Sequence, residues 1–131
     1  MKNETLILNI YAFIFVLFAM PAFFIPEAFA AILQYSIDLP GAKMEFIAAY
    51  GGLILGVGIF LMICVREHTR LGLIAILSVI GSLFIGRVIG FLLDHGTSGV
   101  QNTFLFIEFL TILLMLKLLR SPKLKKQLCC N

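Results

Sequence analysis

Apolar residues gather in four long stretches separated by short polar breaks. The first, residues 6–24, is interrupted by Asn9 and ended by Pro21 and Pro26. The second, residues 44–65, carries Glu45 as its one charge and stops at Arg66-Glu67-His68-Thr69-Arg70. Residues 71–93 form the third, which holds Arg87 and closes at Asp94-His95-Gly96-Thr97-Ser98-Gly99. The fourth, residues 103–119, contains Glu108 and Lys117 and runs into a basic tail, residues 120–131. A bilayer core takes about 20 apolar residues per helical span, with about 17 as the lower end, so each stretch is long enough to cross. The pattern predicts an all-α polytopic membrane protein: one domain over residues 1–131 with four transmembrane helices. Between the first two spans, Pro26 and Glu27 suit the first turn of a helix. Phe29, Ile32, Leu33 and Ile37 then fall on one face, with Glu27, Gln34 and Asp38 on the other. That segment reads equally as a short helix in the outer interface, ended by Pro40-Gly41, or as a structured loop packed on the bundle.

Composition agrees with the pattern: of 131 residues, 61% are hydrophobic and 13% charged, and the mean hydropathy is +1.08. Soluble domains carry roughly 25% charged residues, so a soluble enzyme is excluded. The charges are also sorted by position. Lys2, Arg66, Arg70, Lys117, Arg120, Lys123, Lys125 and Lys126 lie at one set of helix ends, and only Lys43 lies in the opposite loops. By the positive-inside rule, both termini are expected in the cytoplasm. The net charge of +3 then reflects topology and attraction to anionic lipid, with no nucleic acid as partner. Lys2 and Ala28-Phe29-Ala30 imitate a signal peptide with its cleavage site, but residues 6–24 exceed the usual signal core of about 7–15 residues, and Glu4 breaks the basic leader. The segment is therefore expected to remain as a helix. Cys64 and the tail pair Cys129-Cys130 fall on the reducing side of this topology, so no disulfide framework is expected. The adjacent tail cysteines read as an unmodified terminus, with acylation or metal binding as the alternative.

The candidate chemistry lies toward the outer ends of the last three spans, where Glu45, Arg87 and Glu108 fall in one leaflet. Helical spacing puts Glu45, Ala48, Ala49, Gly52 and Gly56 on one face, and small residues mark close helix approach in membranes, so Glu45 is expected to point into the bundle. On the third span Asp94 shares the face of Arg87, seven residues earlier, beside a second small-residue ridge of Ser78, Ser82, Gly86 and Gly90. An intramembrane arginine normally finds carboxylates, and Glu45, Glu108 and Asp94 are the candidates, with His95 in the adjoining loop. Tyr50 could donate its hydroxyl to one of them or pack as an aromatic. Two interpretations stand side by side. In one, the cluster is a structural ion-pair network holding helices in register. In the other, surplus carboxylate charge on Glu45, Glu108 and Asp94 binds Ca²⁺ or Mg²⁺ or an amine-bearing headgroup, or exchanges protons. No His-x-x-x-His or Cys-x-x-Cys spacing supports a metal site.

Glu45-Phe46-Ile47-Ala48-Ala49-Tyr50-Gly51-Gly52, Gly56-Val57-Gly58, Gly86-Arg87-Val88-Ile89-Gly90 with Asp94, and Glu108 together resemble a family of small four-helix bacterial inner-membrane proteins. That family is known mainly as a domain of unknown function and includes the trimeric envelope protein AciT. The resemblance covers essentially the whole chain, although Ile47 stands where many such proteins have a basic residue. It implies an inner-membrane homotrimer that supports outer-membrane or envelope integrity without enzymatic activity. Three classes of function follow. The first is a non-enzymatic envelope protein binding membrane lipid or a divalent ion at the outer leaflet. The second, a small transporter or proton-coupled carrier, normally needs a charge near the midplane, and the central parts of all four spans are uncharged. The third, a lipid-modifying membrane enzyme using Glu45 and Glu108 as acid and base, lacks a nucleophile, metal motif or phosphate loop. The first class is the expectation. Its partners would be lipids and further copies of the chain.

Overall fold

The computed structural model describes residues 2–94 and 99–120. The elements are α1 (Lys2–Phe24), α2 (Pro26–Ile32), α3 (Ala42–Phe46), a π-helical segment (Ile47–Leu53), α4 (Ile54–Glu67), α5 (Thr69–Asp94) and α6 (Gly99–Leu119). Among the described residues there is no strand. Four helical segments are long and apolar enough to cross a bilayer: Glu4–Phe24, Ala42–Glu67, Thr69–Leu93 and Gly99–Leu119. The second is α3, the π segment and α4 in succession. The chain is a multi-pass membrane protein, and many large apolar side chains along its spans, such as Phe13, Leu17, Leu53, Ile85 and Phe106, are exposed on the protein surface. Lipid is the solvent that suits them.

The helices group into two compact units, Thr5–Glu67 and His68–Asn131 together with Met1–Glu4. In the Thr5–Glu67 unit, α1 buries Leu8, Ala12, Phe15, Ala19 and Ala22, an alternation of four- and three-residue steps that makes one stripe. Its small members allow close approach. A Cβ added at Gly58 of α4 would stand 2.8 Å from Val16 Cγ2, 3.1 Å from the Val16 nitrogen and 3.3 Å from the Ala12 carbonyl oxygen. The glycine is what lets the two backbones come so near. Gly51 plays a related part against the Phe23 ring, 2.9 Å from the same hypothetical atom.

The connection between α1 and α3 is built from local rules. Pro21 lies inside α1, where it cannot donate to the preceding turn, yet its own carbonyl accepts from the Ile25 amide at 2.9 Å. Pro26 starts α2 at a position where the missing N–H costs nothing. The helix closes with the amides of Tyr35 and Gln34 donating to the carbonyls of Ala30 (2.8 Å) and Ala31 (3.1 Å). This is a Schellman closure with Gln34 left-handed at φ 64°. Leu39-Pro40-Gly41-Ala42 forms a type II turn: the Ala42 amide reaches the Leu39 carbonyl at 3.0 Å, and Gly41 takes φ 84°, ψ −22°. That positive φ is the conformation glycine supplies. The amphipathic segment is thus a helix only as far as Ile32. Phe29 and Leu33 are buried, whereas Ile32 is 62% exposed.

In the other unit, α5 and α6 form an antiparallel pair: Arg87 near the end of α5 meets Glu108 and Gln101 near the start of α6. Leu73 and Ile76 of α5 and Glu108, Thr111 and Met115 of α6 are buried. On α6 those positions recur at three- and four-residue steps, one face of a helix. Phe84 and Phe109 add a ring contact with centroids 6.2 Å apart. Glu4 is also buried in this unit, 7% exposed.

Candidate functional site

The α5–α6 pair holds the site. Arg87 lies seven residues from the end of α5 and Glu108 nine from the start of α6, about 10 Å and about 13 Å along their axes at 1.5 Å per residue. Arg87 Nε donates to Glu108 Oε1 at 2.8 Å, and Arg87 Nη1 donates to Gln101 Oε1. The guanidinium lies over the Phe104 ring, 5.0 Å from its centroid, a cation–π geometry. Gln101, Phe104 and Glu108 share a face of α6 because they are three and four residues apart. Burial is unequal: the Glu108 side chain is 7% exposed and that of Arg87 24%. Glu108 Oε2 is buried and has no hydrogen-bond partner among the described residues. The site therefore combines an ion pair with an acceptor atom that has no donor among the described residues.

Of the residues expected to gather here, Arg87 and Glu108 do. Gln101 and Phe104 were not anticipated: Gln101 precedes the apolar stretch but lies inside α6, which begins at Gly99, and Phe104 carries no charge to single it out within that stretch. The available signal was spacing: Gln101 stands two turns ahead of Glu108. Asp94 ends α5, and the placement of its side chain, like His95, lies outside the described residues; so do Cys129 and Cys130. Glu45 belongs to the Thr5–Glu67 unit and is exposed, where an inward side chain was expected. The 3.6-residue period behind that expectation fails at Ile47–Leu53, which is π-helical. The small residues expected to share the Glu45 face, Ala48, Ala49, Gly52 and Gly56, are exposed as well, so the whole stripe lies on the protein surface with it. Tyr50 joins an aromatic cluster: it stacks on Phe46 at 4.7 Å, meets Tyr35 at 5.5 Å and meets Phe29 edge-on at 6.5 Å.

The expected packing residues Ala48, Gly52, Gly56, Ser82, Gly86 and Gly90 are all exposed. A Cβ at any of the four glycines would meet no described atom within 4 Å. Ser82 turns its hydroxyl back to the Val79 carbonyl of its own helix, at 2.9 Å. The close approaches inside the Thr5–Glu67 unit use Gly51 and Gly58 instead.

A second charged pair joins α2 to α3. Lys43 Nζ donates to Glu27 Oε1 with both side chains more than half exposed. That hydrogen bond, followed by one from the Glu27 backbone, holds the Glu27 carboxyl below the ordinary glutamate range. Among the described residues, no three His, Cys, Asp or Glu side chains come together as a metal site would need. Cys64 is buried with a free thiol.

No curated protein and no solved structure matches the chain. Residues 4–119 match a domain of unknown function, DUF4345. That stretch includes all four spans and every residue of the α5–α6 site, and the chain belongs to the DUF4345 family.

Proposed function

We propose that this is a non-enzymatic protein of the bacterial inner membrane that supports envelope and outer-membrane integrity by binding a lipid headgroup at the Arg87–Glu108–Gln101 site. One observation carries the reading: the ion pair of a hydrogen-bonded cluster lies about two helical turns inside a membrane-spanning helix pair, and its buried carboxylate keeps an acceptor oxygen without a donor among the described residues. Intramembrane charge of this kind normally marks a functional site. A divalent ion suits the site less well, since Ca²⁺ takes six to eight oxygen ligands and no acidic group of three is present among the described residues.

The positive-inside distribution supports cytoplasmic termini and, with them, an outer-leaflet position for the site. The sequence resemblance to the family that includes the trimeric envelope protein AciT supports a homotrimer. The exposed small-residue stripes supply flat helix surface for such contacts. In a strain deprived of its own copy, outer-membrane permeability to a bulky antibiotic should rise. The unaltered chain should restore the barrier, and Arg87→Ala at matched membrane levels should not. An unchanged barrier in the deprived strain would overturn the envelope reading.

A further inference from the structure

The site keeps a buried acceptor, Glu108 Oε2, beside a guanidinium whose described hydrogen bonds engage two of its five N–H groups. Arg87 donates to Glu108 and Gln101 and lies over Phe104, while Glu108 Oε2 accepts from no described residue. A buried carboxylate oxygen without a donor is unfavourable, so a ligand that supplies one is favoured. Charge then selects among ligands. A lone anion could use the N–H groups that Glu108 and Gln101 leave over, but it would add negative charge beside Glu108 and leave Oε2 without a donor. An ammonium by itself would be placed beside the guanidinium. A zwitterion meets both demands, because it exchanges one internal ion pair for two intermolecular pairs at constant total charge.

We propose that the Arg87–Glu108 pair opens to take a phosphoethanolamine group, with its phosphate on Arg87 and its primary ammonium on Glu108. This rests on the headgroup-binding reading above and names the headgroup. Arg87 is the more exposed member of the pair, 24% against 7%, so it is the one an incoming phosphate reaches. Guanidinium suits phosphate through its fork of N–H donors. Once it is drawn outward, Glu108 needs a replacement cation that can donate hydrogen bonds. A primary ammonium has three N–H groups, and a trimethylammonium has none. Gln101 and Phe104 favour the closed pair and so set how readily it opens.

The test is native mass spectrometry of the full chain in mild detergent with equal amounts of phosphatidylethanolamine, phosphatidylcholine and phosphatidylglycerol. The expected result is retention of phosphatidylethanolamine about tenfold over the other two, the size of one charge-assisted hydrogen bond. Glu108→Gln should remove the preference, and Arg87→Gln should remove phospholipid retention altogether. Gln101→Ala, which frees a donor of Arg87, should raise phosphatidylethanolamine retention; a purely structural cluster predicts no such gain. Soluble O-phosphoethanolamine in a separate arm identifies the source. Failure to displace the lipid assigns the group to the membrane, and displacement at comparable concentration supports the same chemistry with a water-borne ligand. Equal retention of phosphatidylethanolamine and phosphatidylcholine overturns this inference while leaving headgroup binding in place. Retention of no phospholipid at all by the unaltered chain overturns both. If Glu108→Gln does not fold, an unchanged lipid ratio in Gln101→Ala is sufficient to overturn it.

Discussion

At the residue scale, Arg87 and Glu108 depend on each other unequally. An arginine near the centre of a membrane helix costs about 2.5–3.5 kcal/mol by insertion scales, and less toward the interface. Its pairing with Glu108 at 2.8 Å removes much of that cost. Truncating either member leaves the other charge uncompensated, a loss of about 3–5 kcal/mol for fully buried pairs. Because Arg87 retains partial exposure, Glu108→Ala should cost about 2–3 kcal/mol, and Glu45→Gln, at an exposed carboxyl, less than about 0.5 kcal/mol. Thermal melts of both variants in one detergent check the order; equal shifts would contradict it.

The exposed Glu27–Lys43 pair gives a different readout. Its hydrogen bond lowers the Glu27 folded-state titration, so the stabilisation it contributes is present above the ordinary carboxyl range and disappears as the pH falls through the lowered value. In Lys43→Met, a carboxyl carbon NMR titration should show the Glu27 midpoint moving up toward that of a free glutamate. An unmoved midpoint would mean that Lys43 does not set it.

Among the elements, the second span shows most clearly how packing overrides period. Gly58 is in contact distance of the α1 backbone, and a Cβ there would stand 3.1 Å from the Val16 nitrogen, an atom that cannot swing aside. Gly58→Ala should therefore destabilise by about 1–3 kcal/mol, the usual range for overpacking. The same change at Gly56 should be neutral or slightly stabilising, since alanine is the better helix former and the position is open. Melting both variants side by side is decisive: a Gly56→Ala loss as large as that at Gly58 would place a packing surface on the other face. The aromatic cluster of Phe18, Phe29, Tyr35, Phe46 and Tyr50 ties α1, α2, the loop after it, α3 and the π segment together. It gives the short α2 a reason to persist, which seven residues of isolated helix lack.

At the scale of the whole molecule, orientation and assembly are the open quantities. With the cationic helix ends in the cytoplasm, engineered cysteines at Ser36 and Ser98, in a background with the native cysteines replaced, should react with an impermeant maleimide added outside. Thr69→Cys should be protected. The reverse pattern would invert the topology. For assembly, Gly56→Leu and Gly86→Leu add bulk on exposed helix faces with open space around them, so each monomer should keep its melting profile. A copy-to-copy contact on either stripe would lose trimer in native mass spectrometry. Recovery of only monomer from the unaltered chain would count against the assembly itself.

Much of this was legible in the order of residues. The four spans follow from the length of apolar runs, because lipid requires helices to satisfy their backbone internally and leaves few alternatives. The pairing of Arg87 with Glu108 follows from the same physics, since each is a charge that a membrane helix must neutralise. Tertiary structure decided what periodicity cannot express. Glu45 and the small-residue stripe of its span came to lie on the surface, and the start of α6 at Gly99 brought Gln101 to the arginine, where Phe104 also packs. Burial of Glu108 then left one of its oxygens without a donor among the described residues. Composition and spacing determine which segments enter a bilayer, since transfer from water sums over residues. Which atoms touch depends on distances of a few ångströms between segments far apart in the chain, and those arise only when the helices pack.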